Sequence, residues 1–310
     1  MAFSTVTVFA TFSLFAFAWA GTPRPLVLWH GLGDSATSPG MLRFAEEIKA
    51  VHPGIFIHSV YIDEDLDKDK SAGFYGNVNE QVQLVSEQIS VIPELEDGFD
   101  AIGFSQGGQF LRAYVERYNS PPIHNLITFG SQHTGISDIP VCNPRDFICQ
   151  IARRLTKSAV YGHWEQENLV QAQYFRDPAN LETYYASNKF LTSINNEILG
   201  SRNETYARNL ASLNKLVLVI FTEDKTVVPK ESSWFGTEIV VDDELVPGGQ
   251  QRVLAEERVL VPMRKQPLYQ EDWIGLRELD ERGGVVFAEC EGQHMQINDC
   301  WEELVKEFAG

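Results

Sequence analysis

Ser105 stands in the run A-I-G-F-S-Q-G-G-Q over residues 101–109, in which Gly103, Phe104, Ser105, Gln106 and Gly107 spell G-x-S-x-G. An apolar run precedes the serine, and Phe110, Leu111 and Tyr114 follow it at helical spacing. A strand-to-helix turn of this kind is sharp, so the residues flanking the serine must be small. It lifts the hydroxyl clear of the sheet and sets it over a helix N-terminus, whose free N–H groups stabilise a developing oxyanion. The bare pattern also occurs in ordinary turns. The strand before and the helix after are what select a nucleophile.

A serine nucleophile needs a base, and the base needs an orienting acid; on such a scaffold the chain order is Ser, then Asp or Glu, then His. Of seven histidines, only His294 lies beyond the later strands, in the loop E-C-E-G-Q-H. His52, His58, His124, His133 and His163 precede any credible acid and read as structural or surface groups, as does His30, which sits near the site. The acid is expected at the end of the apolar run 216–221, where T-E-D-K follows. Glu223 and Asp224 both qualify there to hold the imidazole tautomer, with Asp224 preferred. Asp242 and Asp243, in an irregular segment, are weaker candidates. W-H-G-L-G-D at 29–34 is a glycine-containing turn after an early apolar run. Its Leu32 N–H would pair with the Gln106 N–H as the two oxyanion donors.

The elements that must position these groups follow from periodicity. Short apolar runs recur at 25–29, 55–60, 101–104, 126–129, 216–221 and 285–288, several of them continuous, as in strands buried on both faces of a parallel sheet. Helical patterns lie between them: Val82, Val85, Ile89 and Ile92 share one face, as do Trp301, Leu304, Val305 and Phe308. The fold class is therefore α/β, a mostly parallel sheet covered by helices on both sides. The alternation fails over about 131–213, which reads as a helical insertion or cap, with helices expected over 188–199 and 204–213. A second irregular stretch, about 237–282, reads as a surface excursion with a hairpin.

The chain has 310 residues, 44% hydrophobic and 22% charged, which is globular composition. The formal charge of −18 repels phosphate backbones and anionic lipid surfaces, excluding nucleic acid as an expected partner. Four cysteines without C-x-x-C spacing offer no structural metal site, and no cofactor motif is present. Residues 1–20 carry no charge, are rich in Phe, Ala, Val and Thr, and end in Ala18, Trp19 and Ala20, as in a cleaved secretory leader. A single domain over 21–310, exported and without stable membrane insertion, is the expectation. Asn203 opens the one N-x-S/T acceptor. The cysteines fall into local pairs, Cys142 with Cys149 and Cys290 with Cys300, one of three possible pairings.

Larger motifs carry a resemblance. W-H-G-L-G-D at 29–34, G-F-S-Q-G-G-Q-F-L-R-A-Y at 103–114, A-Q-Y-F-R-D-P at 172–178, K-F-L-T-S-I-N-N-E at 189–197 and S-W-F-G at 233–236 resemble the lysosomal palmitoyl-protein thioesterases. The likeness runs over nearly the whole mature chain. It implies an α/β-hydrolase fold with a helical insertion, no cofactor, and hydrolysis of long-chain acyl thioesters from cysteines of lipidated proteins in the lysosome. By motif it matches Ser105, Asp224 and His294 to the family's nucleophile, acid and base, and Leu32 and Gln106 to its oxyanion donors. Cys142 and Cys149 resemble a family disulfide, whereas Cys290 and Cys300 have no family counterpart and bracket His294. The family's adjacent cysteines after the glycine loop are replaced by Ala36 and Thr37. Two other functions use the same scaffold: a secreted lipase or carboxylesterase acting on oxygen esters, and a non-catalytic lipid binder. Three retained triad candidates disfavour the binder; the resemblance alone disfavours the esterase.

Overall fold

The computed structural model describes residues 22–138, 159–241 and 257–310. Residues 1–20, expected to be a cleaved leader, lie outside the described residues, as do Cys142, Cys149, Asp242 and Asp243. Six strands form one sheet, β1 (Leu26–Trp29), β2 (Ile57–Ser59), β3 (Phe99–Phe104), β4 (Ile123–Phe129), β5 (Lys215–Phe221) and β8 (Val285–Cys290). Their order is β2-β1-β3-β4-β5-β8, and every neighbouring pair is parallel. A separate antiparallel ribbon joins β6 (Thr237–Val241) to β7 (Glu257–Val261).

Side chains along the inner strands alternate between two cores, the period-2 consequence of a pleated backbone buried on both faces. On β5, Leu216 and Leu218 enter one core, and Val217, Val219 and Phe221 enter the other. The first core is closed by α3 (Val78–Ser90), by α4 (Gln106–Arg117) and by residues of the insertion such as Phe175 and Phe190. The second is closed by α1 (Pro39–Val51), through Met41, Ala45 and Ile48, and by the C-terminal helix Cys300–Phe308, through Val305 and Phe308. Both helices present their apolar residues at three- and four-residue spacing, which is why they can cover a sheet.

Between β4 and β5 the described residues include the short α-helices His163–Asn168, Leu181–Ser187, Leu191–Ile194 and Glu204–Ala211, with 3-10 helices at Val170–Tyr174 and Leu199–Ser201. The helix expected over 188–199 shrinks to the single turn Leu191–Ile194. Asn188 accepts the amide N–H of Leu191 (2.8 Å) and of Thr192 (3.2 Å), starting the turn late, and Asn196 takes φ 50°, which ends it. A local side-chain acceptor and a left-handed asparagine thus outcompete the apolar periodicity.

Candidate active site

β3 runs directly into α4 through Ser105, whose φ of 52° and ψ of −121° put a non-glycine residue in a costly backbone region. The strain is held from outside: Ser105 N–H donates to the Phe129 carbonyl at 2.7 Å, and the turn is clamped by glycine contacts. A Cβ on Gly103 would lie 2.3 Å from the Gly108 Cα, and one on Gly107 would lie 2.4 Å from the Trp29 carbonyl oxygen. Both distances are far inside van der Waals contact, so the helix can seat against β1 and β3 only because these positions lack side chains.

The Ser105 hydroxyl donates to His294 Nε2 at 3.0 Å, and His294 Nδ1 donates to Asp224 Oδ2 at 2.6 Å. Three groups distant in sequence thus form one hydrogen-bonded chain. Asp224 follows β5, and its other oxygen accepts the N–H groups of Thr226 (2.8 Å) and Val227 (3.0 Å). These bonds fix the carboxylate plane. Glu223 is exposed and turned away; its backbone N–H donates to the Gly292 carbonyl at 2.9 Å.

His294 hangs in the loop between β8 and the C-terminal helix. That loop is tied to the end of β5 by Thr222 N–H to the Cys290 carbonyl (3.0 Å) and by Gly292 N–H to Thr222 Oγ1 (3.2 Å). A disulfide joins Cys290 to Cys300 and so closes the loop across its base. The Phe221 ring meets the imidazole edge-on, with centroids 5.9 Å apart.

Gly31 brings the glycine-containing turn against the serine. A Cβ there would stand 3.2 Å from the Phe104 carbonyl oxygen and 3.3 Å from Ser105 Cβ. Leu32 and Ser105 line the same cavity. Gln106 occupies the first turn of α4, where a backbone N–H has no helical acceptor. Its side chain is fixed separately: Nε2 donates to the Gly73 carbonyl (3.2 Å), and Oε1 accepts the Tyr174 hydroxyl (3.3 Å). Asn203, which opens the N-x-S/T sequence, is exposed at the N-cap of Glu204–Ala211.

The cavity above the serine measures about 630 Å³ and is largely apolar. Ile136, Tyr174 and Phe175 line it from the insertion, and Met41, Phe44 and Trp301 from α1 and the C-terminal helix. Sequence reasoning left these wall residues unnamed, because neither helix carries a motif and their pocket-facing residues differ in no way from core residues. Among the described residues no group of three or more His, Cys, Asp or Glu could hold a metal ion. No helix there is long and apolar enough to cross a membrane.

Comparison with known proteins accords with this architecture. A family model described as palmitoyl protein thioesterase matches residues 25–294. Palmitoyl-protein thioesterase 1 of Caenorhabditis elegans is 41% identical over 278 residues, covering 88% of this chain and 87% of that protein. Palmitoyl-protein thioesterase 3 of Dictyostelium discoideum is 31% identical over 305 residues, covering 95% and 93%. A lysosomal thioesterase PPT2 homolog of Drosophila melanogaster is 28% identical over 274 residues, covering 86% and 83%. With a parallel six-stranded sheet, a serine at the β3–α4 turn and a family match spanning that whole framework, the chain is an α/β hydrolase and belongs to the palmitoyl protein thioesterase family.

Proposed function

We propose that this enzyme hydrolyses long-chain acyl thioesters on cysteines of S-acylated proteins and peptides, with Ser105 as nucleophile, His294 as base and Asp224 as the orienting acid. The observation that carries the reading is the Ser105–His294–Asp224 hydrogen-bonded chain at the floor of an apolar cavity of about 630 Å³. His294 takes the Ser105 proton as the hydroxyl oxygen attacks the acyl carbonyl carbon. The Leu32 and Gln106 N–H groups receive the negative charge that develops on the carbonyl oxygen. Collapse of the tetrahedral intermediate breaks the C–S bond and leaves an acyl-serine, and the departing cysteine thiolate takes up the proton held by His294, which frees the imidazole to act as base again. Water deprotonated by His294 then releases the fatty acid and restores the serine. A thiol of pKa about 8.5 departs as thiolate with little protonation, so the demand on His294 as an acid is modest.

The working compartment is the lysosome, reached through a cleaved leader, with Asn203 glycosylated on the way. Relatives named as lysosomal thioesterases and the exposure of Asn203 support this part.

The test is turnover of a palmitoyl-cysteine peptide by the purified mature protein and by its Ser105→Ala variant, beside a matched O-palmitoyl serine peptide. Turnover of the thioester that Ser105→Ala abolishes is the expected result. Equal or faster cleavage of the oxygen ester would make the enzyme a lipase or carboxylesterase instead.

A further inference from the structure

Resting on the acyl-transfer reading above, we propose that His30 and Asp69 are a positioning pair that holds the Leu32 N–H on the oxyanion, so that their loss lowers kcat while leaving substrate binding intact. His30 is one residue from Gly31 and two from Leu32, and both members of the pair are almost wholly buried, at 3% and 2% exposure. The ring stands between the turn and Asp69. Nδ1 donates to the Gly31 carbonyl at 3.0 Å, and Nε2 lies 3.2 Å from Asp69 Oδ2.

Asp69 extends the grip to both ends of the segment. Its Oδ2 accepts the Ala36 N–H at 2.9 Å, fixing the exit of the turn, and its Oδ1 accepts the Ile62 N–H at 2.8 Å, anchoring the carboxylate to the chain after β2. Burial pushes this carboxyl up, but the His30 ring and the Ala36 and Ile62 N–H groups outweigh it and hold it below the ordinary aspartate range. The negative charge is therefore present at working pH. Neither residue lines the substrate cavity, which separates them from groups that touch the acyl chain.

The helix that carries Asp69, α2 (Leu66–Ala72), leads into the segment that steadies the other donor. Gly73, the next residue, accepts Gln106 Nε2 (3.2 Å) and Gln171 Nε2 (2.9 Å) through its carbonyl. Phe74 stacks under Gly33, where a Cβ would stand 3.3 Å from the ring. One short stretch, 69–74, thus references both halves of the oxyanion site to a common support. A donor displaced by about 1 Å costs roughly 100-fold in rate, and losing one altogether costs about 100- to 1000-fold.

The experiment compares Asp69→Asn, His30→Gln and the double variant with wild type on a short acyl thioester. It also measures inhibition by an alkyl boronic acid, whose tetrahedral serine adduct places an oxygen on the oxyanion donors. Each single variant should lose about 10- to 100-fold in kcat with KM within about twofold. The boronate inhibition constant should rise by the same factor, and the double variant should be no worse than the poorer single one. His30→Asn, which retains a donor near the Nδ1 position, should recover part of the loss, and it keeps the comparison open should Asp69→Asn not fold. Folded variants whose kcat stays within about threefold of wild type, or whose KM rises while boronate inhibition is unchanged, overturn the assignment. Thioester turnover surviving Ser105→Ala would instead overturn the acyl-transfer reading itself.

Discussion

Asp224 and Glu223 are neighbours in the chain, yet only Asp224 reaches His294, at 2.6 Å, while Glu223 is exposed and contributes a backbone N–H to Gly292. Replacing Asp224 by Asn leaves a group that can present its amide rather than an acceptor to Nδ1, which favours the wrong tautomer. Asp224→Asn should lower kcat by roughly 1000- to 10,000-fold. Glu223→Gln should stay within about twofold, because the backbone bond to Gly292 survives. Steady-state kinetics on a palmitoyl thioester separates the two; comparable losses would assign the acid wrongly.

On the proposed reading, the apolar cavity sets the preference for acyl length. Each methylene moved from water into such a wall contributes about 0.8 kcal/mol. Palmitoyl should therefore exceed butyryl thioester by at least about 100-fold in kcat/KM. Ile136→Trp fills the insertion side of the cavity and should erase most of that advantage while leaving butyryl turnover within about threefold. Chain-length profiles of the two proteins measure it. A variant that loses both substrates equally would place the acyl chain elsewhere.

Glu116 lies wholly buried against Arg112, accepting its Nη1 at 3.0 Å. Burial pushes its carboxyl up to about 7, against the pull of Arg112 and Arg117. A carboxyl raised on folding keeps its proton in the native state where the unfolded chain has lost it, so its contribution is intact below about pH 4.5 and is lost as pH rises through 7. His133 works in the opposite sense, since burial and then Arg112 hold its ring neutral, and its contribution fades as pH falls below 6.5. The Glu116 effect is isolated by comparison with Glu116→Gln, which keeps an acceptor for Arg112. The melting temperature of this variant relative to wild type should climb by a few degrees, about 2–4 °C per kcal/mol, between pH 5 and pH 8. A flat difference across that range would refute the assignment.

The disulfide Cys290–Cys300 spans a sequence separation of 10 around the histidine. Loop-closure entropy for a ring of that size corresponds to about 2–3 kcal/mol. Cys290→Ser with Cys300→Ser should lower the melting temperature by roughly 5 °C and reduce kcat several-fold, as His294 samples positions away from Ser105. Calorimetry with parallel kinetics checks both. Unchanged kcat would mean that the bonds from Thr222 hold the loop unaided.

Much of this was legible in one sequence because strong local signals coincide with the chemistry. The elbow has a motif whose glycines are dictated by backbone clearance, as the Gly103–Gly108 and Gly107–Trp29 contacts display. The strands are continuous apolar runs because both their faces are covered. His294 and Asp224 followed from chain order, although Glu223 could be set aside only through three-dimensional packing. Harder to see were the residues whose work depends on convergence. Asp69 reads as one more charge in the polar run D-E-D-L-D-K-D-K, and only its burial beneath the Leu32 turn distinguishes it. His30 was set aside as structural, since nothing local marks a ring that serves its neighbours' backbone. Cavity residues on α1 and the C-terminal helix are indistinguishable by type from those that merely fill the core.

The base is carried by the loop after the last strand to join the sheet, 189 positions beyond the serine it serves. During synthesis, then, the nucleophile emerges long before anything can activate it. A nascent or C-terminally clipped chain therefore holds an inert hydroxyl until β8 docks beside β5 and brings the imidazole to it.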